Sequence, residues 1–174
     1  MTAHPLAAIV YAPADNIELL LAEATRRLAG RGVKLGGVLQ HDVADANATS
    51  CGMELENLET GERIPLSLDP GSSGDAVACR LDPDALARGA VAVRKALGRG
   101  AQLIVINKFA SQEVSGAGLR DEIGESMLAG VPLLTAVGER FLDEWTVFTG
   151  GEYARLKPEL DDILAWWDAV QDGA

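Results

Sequence analysis

Cysteine is scarce in this chain: there are two, Cys51 and Cys79, in 174 residues. Two thiols do not make a disulfide scaffold. No CxxC or Cys/His spacing marks a metal site, so a reduced, cytoplasmic chain with buried thiols is expected. Long apolar runs are missing as well. None approaches the roughly 20 residues of a membrane span, which excludes membrane insertion. The opening MTAHPLAAIVYAP has no basic stretch ahead of its apolar segment, so no secretory signal is expected. Positive charge is the third shortage. Lys and Arg number 15 against 26 Asp and Glu, a net charge of −11 with a pI near 4.5. General nucleic-acid binding rests on clustered Lys and Arg and is excluded, and an anionic membrane surface is disfavoured. A small anionic ligand is still allowed where local donors override the global field.

What is present is ordinary globular composition, 48% apolar and 24% charged, enough for one α/β domain over residues 1–174. Leu6 to Val10 reads as a strand. Asp15 or Asn16 can cap a helix on which Ile17, Leu20, Leu21, Ala24 and Leu28 share a face. Val33 to Leu39 is the next strand, giving a β-α-β unit with parallel strands. The loop between the first strand and helix is where a phosphate-binding loop would lie. The Walker pattern needs glycines, a Lys and a Ser or Thr there. Tyr11 to Asn16 (YAPADN) has none of them and adds the charge of Asp15.

After Leu39 the chain from His41 to Ser50 reads as polar and irregular. Cys51 to Asn57 and Arg63 to Leu68 read as a solvent-facing β-hairpin inserted in the fold, with Pro65 marking an edge strand. Asp69 to Ala78 is Gly/Ser-rich. Ser72 and Ser73 can offer a backbone nest for an anion, with Arg80 close in sequence. Asp82 and Pro83 start a helix to about Leu97.

The stretch that organises the rest is Leu103 to Gly118, LIVINKFASQEVSGAG. Leu103-Ile104-Val105-Ile106 reads as a strand buried on both faces. Asn107 and Lys108 follow it directly, then a loop with Ser111 and Glu113. In open α/β sheets ligands collect at the carboxyl ends of the strands. Asn107, Lys108, Ser111, Glu113, Ser72, Ser73, Arg80 and Thr135, the last on the buried strand Leu133 to Val137, are therefore the candidate ligand-binding residues. Leu119 to Ala129 reads as a helix with Met127 and Leu128 inward, and Leu156 to Val170 as a closing helix. Of its Trp166-Trp167 pair, one ring is expected in the core and one partly exposed, open to a protein partner.

Gly36–Gln40 (GGVLQ), Met53–Ser67 (MELENLETGERIPLS), Cys79–Pro83 (CRLDP) and NKFASQEVSGAGLRDEI followed by AGVPLLTAV resemble a bacterial family of unknown function whose genes often lie beside molybdate-transport genes. This chain has Ala110-Ser111 where that family often carries Gly-Lys. The layout also resembles the small P-loop nucleoside triphosphatases, without their Walker motifs and without an acidic residue at the tip of the Leu103–Ile106 strand. The resemblance implies a three-layer fold, a mostly parallel sheet flanked by helices. It also implies a non-catalytic protein for a small anion, molybdate, tungstate or a nucleotide, accessory to molybdenum transport or homeostasis. Two alternatives stand beside it. One is a nucleotide-dependent hydrolase or phosphotransferase using Lys108 for phosphate charge and Glu113 or Asp15 for magnesium or as base. The other is a regulatory protein that docks a partner through Trp166 and Trp167. No cofactor can be read from the residues, and a homo-oligomer is left open.

Overall fold

The computed structural model describes residues 3–43, 52–68 and 80–173. One seven-stranded sheet forms its middle layer. It is built from β1 (Leu6–Tyr11), β2 (Leu35–Val43), β3 (Gly52–Asn57), β4 (Arg63–Pro65), β7 (Leu103–Phe109), β8 (Leu133–Gly138) and β9 (Ala154–Leu156). Their spatial order is β4-β3-β2-β7-β8-β1-β9, and β5 (Ser67–Leu68) pairs with β6 (Arg80–Leu81) outside that sheet. From β2 to β9 every neighbouring pair is parallel, whereas β3 and β4 extend the sheet antiparallel. This is a three-layer α/β fold. The β1, β7 and β8 sequences are near-continuous apolar runs because helices cover both of their faces.

On one face, α1 (Ile17–Gly30) and α6 (Leu160–Asp172) pack Leu21, Leu28, Ile163 and Trp167 against Ile9, Val105 and Leu134. On the other, α2 (Pro83–Gly98), α4 (Arg120–Leu128) and α5 (Leu142–Thr149) pack Val93, Ile123 and Trp145 against Ile104, Ile106 and Val137. A four-residue helix α3 (Ser111–Val114) lies just after β7. The caps follow the sequence. Asn16 Oδ1 accepts the Leu19 N–H at the start of α1, and Asp82 caps α2 with Pro83 in its first turn. No helix among the described residues is long and apolar enough to cross a membrane.

Several expectations change. The second strand continues through His41 to Val43, because its outer half pairs with β3 instead of ending in a loop. The hairpin is not free-standing. Leu55 and Ile64 are buried in the core shared with α2, so only one of its faces meets solvent, while β4 is the edge strand that Pro65 indicated. Leu128 is 91% exposed, and Met127 also lies at the surface. The inward face of α4 is Ile123 with Glu122 and Ser126, at spacings of three and four, and Leu128 falls opposite. Residues 154–156 are strand β9, and the last helix starts only at Leu160. Trp166 and Trp167 are both 4% exposed. Trp166 Nε1 donates to the His4 carbonyl at 2.9 Å, so neither indole offers a surface to a partner. Cys51 and Cys79 lie outside the described residues.

Candidate functional site

The strand β7 does not stop at Ile106. It continues to Phe109 through a bulge. Ile106 pairs with Thr135 and Phe109 with Val137, so Asn107 and Lys108 together stand opposite Ala136. One extra residue on one strand bends the ladder and re-aims side chains. Lys108 absorbs the bend with φ 43, and it is the one non-glycine residue at positive φ among those described. A left-handed backbone costs a residue with a Cβ about 1–2 kcal/mol, and such strain collects at functional sites.

The bulge opens one wall of a cavity of about 250 Å³ between β7, β2, β3 and the α3 segment. Its polar lining is Gln40, Asn107, Lys108, Ser111, Gln112 and Glu113. Val38, Leu55, Leu66, Leu86, Ile106 and Leu119 make the apolar part. Asn107 is 6% exposed, and neither its Nδ2 nor its Oδ1 has a hydrogen-bond partner. Thr135 is fully buried with an unpartnered hydroxyl. Buried polar groups are almost always paired, so two such side chains on adjoining strands stand out. Lys108 is half-buried and makes no ion pair among the described residues.

Glu113 fastens the loop. Its Oε2 accepts the Ala110 N–H at 3.0 Å and its Oε1 the Leu119 N–H at 3.3 Å. Burial pushes its carboxyl up, against the pull of those N–H groups and of Lys108. Gly118, at φ +61, leaves room for this carboxylate, since a Cβ there would lie 2.5 Å from Glu113 Oε1. On the α1 side of β7, burial and the neighbouring Asp42 carboxyl push Glu18 up, with Lys108 pulling it down. Lys108 thus stands in the field of two carboxylates without being claimed by either.

The β1–α1 loop is closed on itself. The Ala12 N–H donates to Asp15 Oδ2 at 2.8 Å, and the Asp15 N–H to the Ala12 carbonyl at 2.9 Å. A carboxylate of the chain itself already occupies an amide that a bound phosphate would need.

The structure therefore brings Asn107, Lys108, Ser111 and Glu113 to one cavity and sets Thr135 in the strand pair beside it. Ser72 and Ser73 lie outside the described residues, and Arg80 opens β6. Sequence reasoning missed Gln40, because the second strand was expected to end at Leu39. The strand-compatible GGVLQHDV was the available signal.

Three carboxyls, Glu18, Glu113 and Glu122, are raised, with burial the largest cause for each. Such a group binds more protons folded than unfolded. Its contribution to stability therefore falls as pH rises from the usual Glu value through the raised one. Acidifying from neutral pH toward the usual Glu range is expected to raise the urea midpoint. A midpoint that drops over this interval would show that other titrations outweigh these three.

Over residues 6–166 the chain matches the family described as "Protein of unknown function (DUF2478)". It is also 42% identical over 162 residues to the "Molybdenum import ATP-binding protein ModC 2" of Bradyrhizobium diazoefficiens. That alignment takes in 93% of this chain and 18% of the relative's length.

Proposed function

The chain belongs to the DUF2478 family of proteins of unknown function, and from that premise we propose that it is a non-catalytic binding protein for a small anionic ligand, molybdate, tungstate or a nucleotide, accessory to molybdenum transport or homeostasis. The observation that carries this reading is the β7 bulge, which gives one cavity an unclaimed Lys108 and an unpartnered Asn107. The molybdenum link is supported by the name of the relative alone.

Binding without turnover is supported by the two places where a P-loop enzyme would carry its machinery. The β1–α1 loop has no glycine or lysine, and the Asp15 carboxylate already accepts the loop amide of Ala12. The tip of β7 carries an amide and a cation in place of a carboxylate. Phosphoryl transfer depends on positioned donors and a metal-bound phosphate, so losing both sets would cost many orders of magnitude. In this reading Lys108 supplies charge, Asn107 and Ser111 supply hydrogen bonds, and Glu113 holds the loop in shape.

Thermal melting with molybdate, tungstate, sulfate, phosphate or Mg-ATP at matched ionic strength tests the proposal. A ligand at 100 times its Kd adds about 2.7 kcal/mol, roughly 5–10 °C for a chain of this size. Lys108→Ala is expected to weaken the effective anion about tenfold, the scale of a charge-assisted hydrogen bond, while the free protein melts nearly unchanged. Magnesium-dependent ATP turnover that disappears in Lys108→Ala would overturn the reading. So would a large loss of stability in the unliganded variant.

A further inference from the structure

The cavity has a donor–acceptor balance that a bare oxyanion does not match. A carboxamide carries two donors on nitrogen and an acceptor oxygen, and Asn107 keeps both ends buried and unmade. A tetrahedral oxyanion only accepts. It would engage Nδ2 and set its negative oxygens against Oδ1. The Ala110 and Leu119 N–H groups are committed to Glu113, so the further donors beside Asn107 are side chains, Lys108, Ser111, Gln112 and Gln40. Gln40, across the strand pair on β2, lines the same cavity and donates to Met53 Sδ at 3.1 Å, a weak acceptor that a ligand can displace. The rest of the wall is aliphatic: Val38, Leu55, Leu66, Leu86 and Ile106. At about 250 Å³ the space lies just below the usual range of small-molecule pockets, with room for one ring system and not for a whole nucleotide.

We propose that this cavity takes the planar, uncharged ring of a nucleobase, whose donor and adjacent acceptor pair with the Asn107 carboxamide while the aliphatic walls cover its faces. The proposal rests on the same cavity being the ligand site, and it narrows the ligand to the nucleoside or nucleotide class. Asn pairs bidentately with adenine through N6 and N7, so adenine is the first base to fit. Neither polar atom of Asn107 is reached by water. Rotation about χ2, a broad torsion in Asn, turns the amide toward the ligand. Binding then makes two hydrogen bonds where none existed, and no water has to be stripped from the amide. Lys108, at the rim, is left for a phosphate attached to the sugar. The base thus enters at the tip of β7, and not beside the closed β1–α1 loop.

Calorimetric titration of the whole chain with adenosine, guanosine, AMP, ribose 5-phosphate and molybdate tests this. A nucleoside is expected to bind without its phosphate, and ribose 5-phosphate is not. Asn107→Leu should weaken the nucleoside at least tenfold while melting no lower than the wild type, because it removes an unpaired amide. Asn107→Asp, which accepts only, should cost adenosine at least tenfold as well. Lys108→Ala should weaken AMP more than adenosine. Molybdate or ribose 5-phosphate binding that survives Asn107→Leu but is lost in Lys108→Ala, with no nucleoside bound, would overturn the base pocket and leave the small-anion reading standing. No binding of any probe would overturn both.

Discussion

Replacing Gly37 by Ala is expected to cost about 2–5 kcal/mol, the sum of overpacking and a strained backbone. Gly37 sits in β2 at φ +107, opposite Val105 of β7. A Cβ there would lie 1.9 Å from the Val105 carbonyl oxygen and 2.8 Å from its carbon. These are backbone atoms of the central strand, so no rotamer change relieves the contact. Either β2 and β7 part, or β2 changes conformation and loses its pairing. Both outcomes reach the cavity, because Val38 and Gln40 lie just beyond Gly37 and line it. A small domain has only about 5–15 kcal/mol in total, so much of the chain should unfold at modest urea concentrations. Gly124→Ala is the matched control: Gly124 lies inside α4 with nothing within 4 Å of its added Cβ, and the change should stabilise by about 0.5–1 kcal/mol. Equal urea midpoints for the two variants would refute the steric account of Gly37.

The second large effect is expected at Trp145. Its ring is fully buried and meets Phe109 edge-on with centroids 5.1 Å apart, Phe148 at 5.9 Å and Tyr153 at 5.7 Å. Phe109 is the residue that returns β7 to register after the bulge. Trp145 therefore clamps the far side of Lys108. Trp145→Ala should cost about 3–5 kcal/mol through lost burial and the hole it leaves. Trp145→Phe should cost much less, because the indole Nε1 has no hydrogen-bond partner to lose. If Lys108 needs the clamp, the Ala variant should also weaken ligand binding while still folded, measured below its melting transition. Full affinity in a folded Trp145→Ala protein would uncouple the clamp from the site.

The parts of the fold that could be read in the sequence are those where one periodicity acts alone. Leu103 to Ile106 is apolar at every position and Leu133 to Val137 at every position but Thr135, and they are the buried parallel strands. On α1 the spacing of Ile17, Leu21, Ala24 and Leu28 gave the right face. Trp166 and Trp167 misled because adjacent helical residues point about 100° apart, and one of the two was expected outside; the His4 carbonyl and α1 cover both. Leu128 misled in the opposite sense, since an apolar residue at a helix end need not lie on its buried stripe. At the site, Asn107 and Lys108 could be placed because a strand tip is where this fold collects ligands. The bulge could not be foreseen. Its register is set by β8, and nothing in NKF alone requires a left-handed lysine. The role of Glu113 as a fastener was equally hidden, since it depends on Gly118 making room five residues later.

The three tryptophans carry a practical consequence. Trp145 belongs to the core on one side of the sheet, and Trp166 and Trp167, on α6, belong to the core on the other. All three indoles are sealed from water, so the native emission should be blue-shifted and should move to the red on unfolding. A chain keeping only Trp145 and one keeping only the pair would give each layer its own optical signal. Coincident transitions would mean that the two layers melt as one body, and separate ones that the cavity-bearing side can open while the other holds.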